Sequence, residues 1–171
     1  MKQFVLVGVY LVAIVAANLI VARFGSASVL LVGFFLVGLD LSTRDYLHEL
    51  WKRRLWLKMF GLIAAGSLLS WVINHNAGSI AVASLVAFAS AGVVDVLTYH
   101  ILRHKTFLLK VNGSNVFSGL TDSTVFLSIA FGGFMPFLIL AQWIAKVIGG
   151  FAWSLVITWY RRQCAVLSRN A

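Results

Sequence analysis

Apolar runs of about twenty residues recur along this chain with little polar sequence between them, and no motif constrains the fold as strongly. A helix rises about 1.5 Å per residue, so roughly 20 apolar residues cross the ~30 Å hydrocarbon core of a bilayer. Six such stretches are readable, at 4–22, 27–39 closed by Asp40, 55–73, 79–102, 114–134 and 137–160. The helical pattern of the second continues into an amphipathic stretch at 43–52. Composition agrees: 61% of the 171 residues are hydrophobic and 11% charged, against roughly 45–50% and about 25% in soluble domains. A chain this short has too much surface to hide so much apolar side chain from water, so lipid must be its solvent. The expected fold is all-α: a polytopic integral membrane protein, a six-transmembrane-helix bundle forming one domain over residues 1–171.

The breaks between stretches carry turn chemistry. Gly25-Ser26, the run from Asn74 to Gly78, and Gly132-Gly133 followed by Pro136 read as tight connections. The run from Lys110 to Ser114 reads as a turn, with Ser114 or Asn115 capping the fifth helix. Orientation follows from Lys and Arg. One side of the predicted bundle holds Arg23 alone; the other holds Lys2, Arg44, Lys52, Arg53, Arg54, Lys58, Arg103, Lys105, Lys110, Arg161, Arg162 and Arg169. Basic residues stay cytoplasmic, so both termini are expected inside. The opening Met1-Lys2 with the small residues Ala13, Ala16 and Ala17 has some features of a signal peptide. The apolar pattern runs on to Ala22, however, and the stretch is taken as a span. Trp51, Trp56, Trp71, Trp159 and Tyr160 fall near predicted boundaries, as interfacial anchors do.

Charges within apolar stretches are expensive in lipid and point to function. Asp122 lies near the middle of the fifth stretch, on a face shared with Ser114 and Ser118. Lys146 lies at similar depth in the sixth, on a face with Gln142, Gly149 and Trp153. An ion pair or shared hydrogen-bond network between Asp122 and Lys146 is expected. Asp95 closes a stripe of Ser84, Phe88 and Ala91 in the fourth stretch; Asp40 ends the second, and Asn18 sits in the outer part of the first. Each of these could equally hold helices together, as polar side chains in membranes do. Asp45 and Glu49, with Glu49 four residues before Arg53, read as a solvated face.

Other chemistries find little support. The +9 net charge sits in short loops, with no aromatic-interleaved basic groove or zinc-ligand spacing, so no nucleic-acid partner is expected. His100 and His104 stand four apart, but beside Arg103 and Lys105, where positive charge opposes a cation; no metal site or cofactor is expected. Cys164, the single cysteine, allows no internal disulfide. No Gly-x-Ser-x-Gly elbow, His-Glu-x-x-His or ATP-binding loop is present, and no enzyme activity is expected.

Two Ser…Asp blocks carry a family resemblance. The segment 83–99 with Asp95 and Tyr99, then Ser114-Asn115 and Ser118-Gly119-Leu120-Thr121-Asp122, resembles the vitamin uptake transporter family of queuosine precursor transporters. Ala17-Asn18, Asp40 and Lys146 are placed as in that family, and the similarity is densest over 84–146. The chain departs from it after the second stretch, where longer members carry a Gly-rich basic continuation and this one reads from Thr43 to Trp51. The resemblance implies a six-span protein of the bacterial inner membrane that imports 7-cyano-7-deazaguanine or its aminomethyl relative. Its substrate-binding residues would be Asp122, Asp95, Lys146, Asn18, Gln142, Ser118, Asp40 and Trp153, with the carboxylates and amides meeting the edge of a deazapurine and Trp153 its face. Asp122 would either bind substrate or carry a coupling proton. The alternative is a substrate-binding membrane subunit served by a separate ATP-driven module; a homo-oligomer also stays open.

Overall fold

The computed structural model describes residues 3–40, 42–43, 47, 55–102, 104 and 107–167. Among these the chain is helical throughout, with no strand. Helix α1 spans Gln3–Phe24 and stops at Gly25, whose φ of +62° is a left-handed conformation that glycine adopts without a Cβ clash. A 3-10 turn, Gly25–Ser28, is closed by the Ser28 hydroxyl donating to the Gly25 carbonyl at 2.8 Å. Helix α2 then folds back along α1: Val29–Val32 is α-helical, Gly33–Val37 is a π-helical turn, and helical backbone continues to Asp40.

Helix α3 is Leu55–Ile73, and Asn74 caps the 3-10 turn that follows by accepting from the Asn76 backbone N–H at 3.1 Å. Helix α4 is Gly78–Ile101 and α5 is Phe107–Phe131; they form the most extensive helix–helix contact in the molecule. Helix α6, Pro136–Leu167, begins on a proline, which has no N–H to waste in a first turn and a φ already suited to it. The turn before it uses Gly132 at φ +67°.

Three helical stretches are long and apolar enough to cross a membrane: Phe4–Asp40, which folds back at Gly25, His75–Thr98 and Pro136–Ile157. Leu57–Ile73 and Val116–Phe131 are shorter apolar segments. Helices α1 and α3 are apolar on every side, the pattern of a helix with lipid or protein around its whole circumference. Phe4 (88% exposed), Phe137 (89%) and Val12 (68%) face outward, which in water would be a severe aggregation hazard and in lipid is the ordinary surface.

Inside, two apolar clusters organise the bundle. One gathers Val21, Val29, Val32, Ala83, Leu127 and Ile139 from α1, α2, α4, α5 and α6. The other joins Leu6, Tyr10 and Ile14 of α1 to Met59 and Ile63 of α3, with Leu47. Packing between helices is close where side chains are absent. A Cβ on Gly38 would lie 2.6 Å from the carbonyl carbon of Gly149, and one on Gly149 would strike the Phe34 backbone, so α2 and α6 touch backbone to backbone. The Ser42 hydroxyl, donating to the Gly150 carbonyl at 2.8 Å, extends that seam.

Three expectations change. The run from Lys110 to Ser114 is helical and Ser114 is no N-cap, because α5 begins at Phe107. One glycine costs a helix about 1 kcal/mol, too little to break a run whose neighbours are good helix formers. The last helix continues past Tyr160 to Leu167, since nothing after Tyr160 breaks it. The second stretch carries a π-helical turn that no residue pattern announces. The Glu49–Arg53 pair, Asp45, Trp51 and the basic residues Arg44, Arg103 and Lys105 lie outside the described residues.

Candidate functional site

Asp122 lies nine residues before the end of α5, and Lys146 ten residues after the start of α6. At 1.5 Å per residue both are about 14–15 Å from the same end of an antiparallel pair. Their faces meet: Lys146 Nζ donates to Asp122 Oδ2 at 2.5 Å, a charge-assisted hydrogen bond as well as an ion pair. The expected pair forms. Its two ends are unequally covered, with the Lys146 side chain 6% exposed and that of Asp122 28%. The ammonium also stands 5.9 Å from the centroid of the buried Phe126 ring, one turn beyond Asp122, within reach of a cation–π attraction.

The remaining residues separate into groups. Gln142, one turn from Lys146 on α6, is 2% exposed, and its Oε1 has no hydrogen-bond partner among the described residues. Ser123, beside Asp122, is fully buried and its Oγ is likewise unmatched. Asn18 is buried and committed elsewhere: its Nδ2 donates to Ser70 Oγ at 3.2 Å, and Ser70 donates in turn to the Gly66 carbonyl at 2.7 Å. That bond joins α1 to α3, the helix-fastening role. Ser118 is half-buried one turn before Asp122. Asp95 on α4 and Asp40 at the end of α2's helical run are also half-buried, and each of these three holds other interactions. Trp153 is half-buried two turns past Lys146. The ring found against the ammonium is Phe126, which the sequence reading missed; its signal was the i,i+4 spacing from Asp122.

Trp143 packs on Gly119, where a Cβ would come within 3.4 Å of the indole, and its Nε1 is buried without a partner among the described residues. Trp71 stands edge-on to His75 at 5.2 Å and is well exposed, as is Trp159. No group of three or more potential metal ligands occurs among the described residues. An open groove of about 420 Å³ runs along α4 between Phe60, Phe88, Gly92 and Val96. Its lining is almost wholly apolar and excludes the ion pair, so it suits lipid chains rather than a polar solute.

A charge pair between apolar helices is costly in lipid, which makes it the leading candidate for a functional position in this bundle. The family model described as a vitamin uptake transporter matches residues 9–160, and the chain belongs to that family. Comparison with curated proteins and with solved structures finds no match.

Proposed function

We propose that this protein imports a queuosine precursor, 7-cyano-7-deazaguanine or a related deazapurine, across the bacterial inner membrane as a single six-span domain with both ends in the cytoplasm. The observation that carries the reading is the Asp122–Lys146 pair, joined at 2.5 Å between α5 and α6. The pair is neutral overall, so a neutral ligand can meet it without adding net charge to the membrane interior. A lactam edge offers a carbonyl to the ammonium and N–H donors to the carboxylate, and each loses little when water is excluded. Carriers place such sites near the bilayer midplane, where access can alternate. The orientation rests on the twelve Lys and Arg of the predicted inner loops and tail against Arg23 outside.

The test is complementation in a bacterium that can neither make nor import the precursor. With 7-cyano-7-deazaguanine supplied at low concentration, the wild-type chain restores queuosine in tRNA, read as retardation on a boronate gel. Asp122→Asn inserts in the membrane and does not restore it. Absence of restoration by an inserted wild-type chain would refute the substrate. Co-purification of an ATPase required for uptake would favour the alternative, a binding subunit of an ATP-driven system.

A further inference from the structure

Two buried side chains beside the ion pair have hydrogen-bonding capacity that the protein leaves unused. Gln142 Oε1 and Ser123 Oγ are both out of contact with solvent and without partners among the described residues. In lipid an unmatched buried acceptor is costly, and no bulk water is available to relieve it. A leucine or methionine at position 142 would remove that cost, so the polar group calls for an explanation.

Position supplies one. Gln142 precedes Lys146 by four residues, so both side chains leave α6 on one face about 6 Å apart along the axis. The Asp122–Lys146 bond sets the level at which the antiparallel α5 and α6 meet, which brings Ser123 level with the 142–146 turn. Phe126, buried and 5.9 Å from the ammonium, lies one turn from Asp122 toward the same end. On the other side, the stem of Gln142 rests against Gly33, the first residue of the π-helical turn in α2, at 3.6 Å from where a Cβ would be. A π-turn in an otherwise α-helical segment often marks a functional position.

We infer that Gln142 is the specificity-determining residue of this site: its Oε1 accepts an exocyclic amino N–H of a planar heterocycle whose ring carbonyl, on the same edge, is held by Lys146, with the ring lying over Phe126. The inference rests on the proposed transport function and adds the residue that reads the ligand. The required ligand class is a neutral flat heterocycle with N–H donors next to a carbonyl on one edge. Ser123, beside Asp122, supplies a second unmatched oxygen at the same level. A bound heterocycle would satisfy both oxygens.

The test compares two probes, 7-cyano-7-deazaguanine and its analogue lacking the exocyclic amino group, in binding to detergent-purified wild type and Gln142→Met. Methionine keeps the length and unbranched stem of glutamine and removes both polar atoms. Wild type is expected to prefer the amino-bearing probe by about tenfold, the worth of one good hydrogen bond. Gln142→Met is expected to bind the two probes alike, with thermal stability equal to or above wild type because no hydrogen bond is lost. A variant that retains the full preference, or weakens both probes equally, would overturn the inference. Gln142→Leu repeats the comparison should the methionine variant misfold. Asp122→Asn in parallel separates the two ideas: loss of binding there with unchanged discrimination in Gln142→Met sinks only this inference. Failure of wild type to bind either probe sinks the substrate reading itself.

Discussion

Removing one member of the Asp122–Lys146 pair should cost more than removing both, and the two single losses should be unequal. In Asp122→Asn an ammonium whose side chain is 6% exposed keeps its charge and loses its counter-ion. In Lys146→Met the orphaned group is a carboxylate, 28% exposed. Breaking a buried ion pair from one side costs about 3–5 kcal/mol in well-covered sites. Asp122→Asn should therefore fall near that range, relieved in part by the Phe126 ring, whose attraction for the cation contributes about 0.5–2 kcal/mol. Lys146→Met should fall in the same range, without that relief. The double variant Asp122→Asn/Lys146→Met leaves no charge in lipid and should recover most of the loss, while uptake stays abolished. Unfolding of the four proteins in mixed micelles gives the interaction energy directly. Single losses below about 0.5 kcal/mol that simply add in the double variant would refute the claim that the pair is buried and coupled.

Three further outcomes follow from the geometry. Gly149→Ala drives a methyl into the Phe34 backbone and should destabilise by about 1–3 kcal/mol or more, because backbone cannot step aside. Gly61→Ala, which meets nothing within 4 Å, should be neutral or stabilising by up to about 1 kcal/mol; thermal melts in detergent compare them. Ser70→Ala should cost about 1 kcal/mol by leaving Asn18 Nδ2 without an acceptor, and should cost almost nothing in an Asn18→Leu background. For topology, Asn76→Cys in a Cys164→Ser chain should react with a membrane-impermeant maleimide applied to intact cells; protection from outside would overturn the inside placement of the termini.

Much of this molecule was legible from its residues, for a definite reason. Lipid imposes a length and a composition on any segment that crosses it, so apolar runs near twenty residues reveal helices without knowledge of their neighbours. Leu55–Ile73 was read with its observed ends, and the fourth helix to within a residue at each end. Asp122 and Lys146 stood out because charge in an apolar run has no local explanation, and their matching depths follow from counting residues at 1.5 Å each.

What counting could not supply is azimuth, the direction each face turns once six helices are packed. Asn18 and Gln142 are both amides within apolar runs and look alike in sequence. Packing sets Asn18 against Ser70, where its bond is made, and Gln142 against Gly33, where Oε1 meets no partner among the described residues. Trp153 and Phe126 were separable only in the same way, since contact with the Lys146 ammonium depends on how α5 and α6 cross. The π-turn at Gly33–Val37 and the Gly38–Gly149 backbone contact are likewise products of α2 meeting α6. The sequence alone determined which segments are apolar helices and where along them charge resides, because bilayer thickness and the cost of dehydrating charge act on each segment separately. Only the tertiary structure decided which polar groups satisfy one another, because that depends on distances between helices that local sequence does not encode.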